Sequence, residues 1–220
     1  MNKIILCHGS RGGIDGFIRP RSLARCDFGE GFHMGTDPDL AKALVANDEA
    51  PYFYKLELDL TRIPEDRILR LDGMEWAYFV LFNRGRLDSV KGSDLYRNCS
   101  MLAFGKDVLI GPATDGAVNA AINCFLHGEI TDKTLLECVQ GFDHGLQYTA
   151  KTAAACACIN ILEEKELSEK ELEDAVQRSV QRRKEGIKLL EKIQRSNQRE
   201  GKYFDEMLQE RSKRDNESFP

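Results

Sequence analysis

Apolar residues along this chain fall into short runs whose periods separate strands from helices. Lys3-Ile4-Ile5-Leu6-Cys7 is short, apolar and rich in β-branched residues, which predicts a buried strand that delivers His8-Gly9-Ser10 at its end. Tyr52 to Leu60 alternates apolar and polar residues from Tyr54 onward, the period of a half-buried strand, and Arg67 to Leu71 predicts a shorter one. Asp107 to Pro112 reads as a strand stopped by Gly-Pro. Helical starts are marked by their caps. Thr36 or Asp37, with Pro38 in the first turn, opens a helix expected to end near Asn47. Thr114-Asp115 opens one through Val118, Ile122 and Phe125, and Thr131-Asp132-Lys133 opens another through Leu135 and Val139. Glu75 to Arg84 is apolar on most sides, so it predicts a buried helix closed by Gly85. Gln147-Tyr148-Thr149 reads as strand. Ala153 to Cys158 suits either state and is taken as strand.

After Ile161 the pattern changes abruptly. Glu163 to Arg214 is dense in Glu, Lys, Arg and Gln, with Leu172, Val176, Val180, Ile187, Leu190 and Ile193 at helical spacing. Ser168 with Glu171 three residues on forms a capping-box pattern, and the segment reads as one long amphipathic helix or a helical hairpin, with Gly186 and Gly201 as candidate breaks. So narrow a stripe either lies on its own domain or pairs with another helix, which would make it a partner site. The division expected is a folded domain over 1–162 and a charged amphipathic helical extension over 163–220.

A chain of 220 residues holds one full-sized core, or one core with a helical appendage. A net charge of −5 gives no whole-molecule electrostatic reason to bind nucleic acid. No apolar run approaches a bilayer span, and the first apolar run meets His8-Gly9 too soon for a signal peptide, so a cytoplasmic protein is expected, with secretion as an effector left open. Seven cysteines without a C-x-x-C pair argue against a disulfide framework and a zinc ribbon, and no metal site is expected.

Two stretches stand apart from this regular patterning. Arg11 to Cys26 reads as an irregular loop rich in guanidinium groups, with glycines in its first half and Arg19-Pro20-Arg21 behind them. Asp27-Phe28-Gly29-Glu30-Gly31-Phe32-His33-Met34-Gly35-Thr36 sets three glycines among flat rings. That composition fits backbone passing close to a ligand, or a glycine-loosened turn between strands.

Cys7-His8-Gly9-Ser10 at a strand end, followed by Phe28-Gly29-Glu30-Gly31-Phe32-His33-Met34-Gly35-Thr36 leading into a helix, resembles the first two NAD-gripping segments of ADP-ribosyltransferases of the diphtheria-toxin and poly(ADP-ribose) polymerase type. More closely, the span from Ile4 to about Leu162 is similar to a bacterial domain family of unknown function placed in that fold. The matching pieces are Leu6 to Ser10, Asp27 to Phe32, Trp76-x-x-Phe79-Val80-x-x-Asn83-Arg84, Val108 to Ala113 with Asp115, and Gln147-Tyr148-x-x-Lys151-Thr152. The resemblance implies an α+β fold with two small mixed or antiparallel sheets split around an NAD cleft, NAD being a substrate. The C-terminal helical segment lies outside it.

It also implies roles. His8 would hydrogen-bond a ribose hydroxyl, the Gly9 backbone would grip the nicotinamide amide, and Ser10 would support either. Gly31, Phe32 and Thr36 belong to the second gripping segment, where His33 stands in place of the usual Tyr that stacks on nicotinamide. At the start of the late strand Gln147 stands where the class carries Glu; an amide orients the ribose 2′-hydroxyl but brings no negative charge and cannot act as a base, which argues against polymer elongation. Asp115 is either the missing carboxylate or only a helix cap, and Asn83 and Arg84 either hold pyrophosphate or serve structure.

The implied activity is mono-ADP-ribosyl transfer of the toxin or effector kind, from NAD to an unidentified macromolecular acceptor, with protein favoured over nucleic acid. The alternative is a catalytically weak NAD or ADP-ribose binding module acting through a protein partner docked on the C-terminal helices. A cysteine or metal enzyme built on Cys7, His8 and His33 is a third reading and lacks a spaced ligand set.

Overall fold

A computed structural model describes residues 3–22, 25–142, 145–197 and 200–217. Seven strands form one mixed sheet: β1 (Lys3–Ser10), β2 (Phe32–Gly35), β3 (Tyr52–Asp59), β4 (Ile68–Arg70), β5 (Val108–Pro112), β6 (Leu146–Ala150) and β7 (Ile159–Glu166), in the order β4-β5-β6-β2-β1-β3-β7. Only β4 and β5 run parallel; every other neighbouring pair is antiparallel. The separate sheets expected from the resemblance are therefore joined, but narrowly. β1 pairs with β3 along all eight of its residues, whereas β1 and β2 meet at the single pair Cys7↔Gly35. The sheet thus consists of two well-laddered halves with a weak seam, and groups along a seam are free to face a ligand because few cross-strand bonds consume them.

The helices are α1 (Pro38–Ala43), α2 (Gly73–Asn83), α3 (Asp94–Leu102), α4 (Gly116–Leu126), α5 (Asp132–Gly141), α6 (Ala153–Cys156), α7 (Glu169–Ser196) and α8 (Phe204–Glu217). The caps work as their residue types require. Asp37 accepts the amides of Asp39 and Leu40, Asp115 those of Ala117 and Val118, Thr131 that of Thr134, and Ser168 with Glu171 completes a capping box. α2 is buried on nearly every side, with Trp76 donating to the Pro112 carbonyl at 3.1 Å, and Gly85 follows it at φ +72°.

Two expectations need correction, and one alternative left open in the sequence is decided. Ala153 to Cys158 is not strand: Thr152 caps the short α6, and the strand begins at Ile159. β7 then runs through the 162/163 boundary, so the charged segment Glu163 to Glu166 is an edge strand rather than helix. Gly186 does not break α7. It is buried within the continuous helix, where a Cβ would overlap that of Ala117 on α4. Gly201, at φ +89°, does lie between α7 and α8.

The largest core lies among α2 to α5 and the faces of α7 and α8, around Trp76, Phe79, Ile122 and Phe125. A second, formed by Leu6, Phe32, Tyr54, Leu56, Ile110 and Tyr148, fills the sheet. A third, smaller cluster of Ala41, Val45, Phe53 and Leu167 seats α1. α7 clasps α1 from outside, Arg178 reaching Asp39 through two hydrogen bonds of 2.7 and 2.8 Å and Arg182 pairing with Asp37. Among the described residues no helix is long and apolar enough to cross a membrane.

Candidate functional site

The seam between β1 and β2 opens into a cleft with two lobes. The larger, about 510 Å³, lies between the seam and α1 and is lined by His8, Gly9, His33, Asp37, Leu40 and Gln147 among others; the smaller, about 350 Å³, lies under the loop over 11–22 and is lined by Ser10, Ile14, Arg19, Phe32 and neighbours. His8, Arg21, Ser22 and His33 line both lobes, so these four side chains form the waist between them.

His8 reaches the site because β1 runs on to Ser10, past the predicted end of the strand. Its Nδ1 lies 2.7 Å from the carbonyl oxygen of His33, which can only accept, so Nδ1 carries the proton and donates. Nε2 is left as a lone-pair acceptor. The ring packs 4.4 Å from that of Phe32, and burial pushes the imidazole pKa down against the opposing effect of the carbonyl. A neutral His8 is the resting form at pH 7.

His33 is fixed in its own plane. The Gln147 side-chain amide lies 3.2 Å from Nδ1 and the Thr149 hydroxyl 2.8 Å, while Nε2 lies 2.8 Å from Ser22 Oγ. Donors at Nδ1 place the ring proton on Nε2, which donates to Ser22. Ser22 Oγ also accepts the amide of Gly31 at 2.9 Å. This chain of bonds ties β6, β2 and the preceding loop together at one ring. Burial, with the Lys151 ammonium next in effect and Asp27 opposing, lowers the His33 pKa to about 4. The imidazole is therefore uncharged near neutrality and does not repel a cation beside its face.

The glycines serve packing at this site. A Cβ on Gly9 would overlap the Ala41 carbonyl oxygen, so α1 rests directly on β1 backbone there. A Cβ on Gly31 would come within 2.5 Å of Thr149 Cγ2. Both positions need glycine for contact with protein. Ser10 donates to the Gly13 carbonyl at 2.8 Å and lines the smaller lobe. Thr36 accepts the Leu146 amide at 2.9 Å and knits β2 to β6, outside both lobes.

Asp115, Asn83 and Arg84 lie away from this cleft. Both α4 amides are accepted by one oxygen of Asp115, and the residue lines a small cavity against α7 with Arg182 and Gly186. Asn83 donates to the carbonyls of Asp27 at 3.0 Å and Phe79 at 2.9 Å. Arg84 pairs with Asp27, and its other arm donates to Thr114 at 3.1 Å. Together they fasten the Asp27 turn to α2, and Lys151 donates to the Phe28 carbonyl at 2.7 Å from the other side.

Sequence reasoning missed the carboxylate that the fold brings to the cleft. Asp37 lines the larger lobe with Gln147, because Gly35 is paired with Gln147 across β2 and β6 two residues before it. The signal was present as a helix cap and was read as that alone. Arg21, Ser22 and Cys26 also line the larger lobe, brought there by a loop without periodicity. Among the described residues no group of three or more His, Cys, Asp or Glu is placed to hold a metal ion.

Residues 4–161 match a family described as a protein of unknown function (DUF3990), and the chain belongs to that family. No curated protein and no solved structure matches it. α7 and α8 lie beyond the matched span.

Proposed function

We propose that this DUF3990 protein binds NAD in the seam cleft and is a mono-ADP-ribosyltransferase of the toxin or effector type, built on an ADP-ribosyltransferase-like fold. The observation that carries the reading is the meeting of His8 with the Phe32-His33 segment, 25 residues apart in sequence, at a seam where Gln147 also converges. Those are the three segments to which the resemblance assigns NAD. Two joined lobes of about 510 and 350 Å³ suit a ligand with two nucleoside halves, since pockets of this order bury small organic ligands.

In the reaction the N-glycosidic bond between ribose C1′ and nicotinamide breaks, and the leaving ring keeps the bonding pair and becomes neutral. An acceptor nucleophile attacks C1′ and releases its proton to solvent water. The ribosyl carbon passes through an oxocarbenium-like state, as in glycoside cleavage. Neutral His8 offers Nε2 to a ribose hydroxyl, and neutral His33 offers a ring face to the cationic nicotinamide without charge repulsion. Gln147 orients the 2′-hydroxyl. Asp37 supplies negative charge to the larger lobe, offset by Arg182. The acceptor is a macromolecule, protein in preference to nucleic acid on a chain of net charge −5, and the site of action is the cytoplasm.

One observation favours a second reading. Gln147 is an amide, and Asp37 spends one oxygen on two α1 amides and the other on Arg182, so neither is free to act as a base. A binding module that holds NAD or ADP-ribose and acts through a protein partner fits that arrangement. Labelled NAD incubated with the protein and a cell lysate separates the two. Label transfer and nicotinamide release support the transferase, binding without turnover supports the module, and neither binding nor turnover overturns both.

A further inference from the structure

The arginines of the Asp27 turn and of the segment after α2 face a second cavity, of about 280 Å³, that shares no lining residue with either lobe of the seam cleft. Arg25, Arg84 and Arg86 line it, together with Asn123, Leu81, Ile122 and Leu126, and of these Arg25, Arg86 and Asn123 are exposed. Arg84 is balanced by Asp27, and its guanidinium is held by that pair and by Thr114. Arg25 and Arg86 have no carboxylate partner among the described residues. Asp88 sits beyond Gly85 and lines no part of the cavity. Two arginines without an ion pair among the described residues thus border one small concavity, beside the paired Arg84, in a protein of net charge −5.

Guanidinium groups bordering one cavity repel one another, and an anion whose oxygens meet more than one fork relieves that repulsion. Phosphate oxygens match that geometry. The volume sits at the lower edge of the range for organic ligands, so it suits a phosphate or diphosphate group rather than a dinucleotide. Asn123 adds a neutral donor from α4. We propose that this cavity is an anion site for a phosphate or diphosphate group, separate from the seam cleft. It would couple to that cleft through the Asp27 turn, whose backbone is also held by Asn83 and Lys151. The inference does not rest on the NAD reading.

The test is titration of the full chain with inorganic phosphate and diphosphate by calorimetry, on wild type, R25Q/R86Q and R19Q/R21Q. These pairs are chosen because none of the four residues has an ion pair with a carboxylate among the described residues, and circular dichroism confirms that each variant is folded. Saturable diphosphate binding is expected in wild type and in R19Q/R21Q, weakened about tenfold or more in R25Q/R86Q and falling with added salt. In the R19Q/R21Q background, ADP binding tighter than diphosphate assigns the group to a nucleotide, and weaker or equal binding assigns it to the free anion. No saturable binding in wild type, or binding lost in R19Q/R21Q but kept in R25Q/R86Q, overturns the proposal.

Discussion

Replacing Gly9 by Ala tests how the wall of the cleft is built. The added Cβ would overlap the Ala41 carbonyl oxygen and lie 3.1 Å from both the Ala41 carbonyl carbon and Val45 Cγ1. Two of those three atoms are backbone of α1, so no side-chain rotation relieves the overlap. Either α1 lifts from β1 or the strand bends at the seam, where only one residue pair joins β1 to β2. Overpacking of this kind costs about 1–3 kcal/mol, and the rigid neighbour places Gly9→Ala toward the upper end. The lifted helix and the turn after it carry Leu40, Ala41, Leu44 and Val45, which line the larger lobe, so ligand affinity should fall with stability. Gly12→Ala is the control, because nothing lies within 4 Å of a Cβ there. Urea unfolding of both variants gives the comparison. Equal stability of the two would refute direct contact between α1 and β1 backbone.

Other positions give predictions of distinct sign. His33 has a pKa near 4 in the fold against an ordinary value of 6.5, so below pH 6.5 the unfolded chain takes up a proton that the folded chain refuses; His33 therefore destabilises progressively between pH 6.5 and 4, by roughly 3 kcal/mol at the acid end. Urea unfolding of wild type and His33→Gln across that window should show the wild type losing more stability, and parallel curves would contradict it. Gly186→Ala should destabilise despite the better helix propensity of alanine, by about 1–3 kcal/mol, because its Cβ meets Ala117; a gain in melting temperature would place α7 farther from α4. Asp115→Asn should keep most of the stability and Asp115→Ala should lose about 1–2 kcal/mol, with NAD affinity unchanged in both, as a helix cap requires.

Much of the fold was legible because local chemistry and tertiary structure agree. The caps at Asp37, Asp115, Thr131 and Ser168 start helices where their side chains meet free amides, and the alternation from Tyr54 marks β3. α3 was missed because Asp94 to Leu102 mixes polar and apolar residues and buries only Leu95 and Cys99. β7 was missed because its last four residues are charged, which an edge strand tolerates on its exposed side and which in sequence looks like the helix that follows. Gly186 was a candidate break because glycine is poor in helices; the partner that makes it necessary, Ala117, is 69 positions away and invisible to local pattern.

At the site, His8, His33 and Gln147 were singled out through the family resemblance, and the strand pairing brings the three together. Asn83 and Arg84, left open between pyrophosphate and structure, lie away from the seam cleft and fasten the Asp27 turn. Asp37 was overlooked as a cleft residue because a cap already explained it. Whether a capping carboxylate also faces a cavity depends on strand register, which sequence spacing does not carry.

The account turns on whether NAD occupies the seam cleft, and calorimetric titration of the full chain with NAD, wild type against His8→Ala and R25Q/R86Q, tests this most directly. The account predicts saturable binding by wild type and R25Q/R86Q, and binding weakened about tenfold or more in a folded His8→Ala. No saturable binding by wild type, or equal affinity in wild type and His8→Ala, would contradict it.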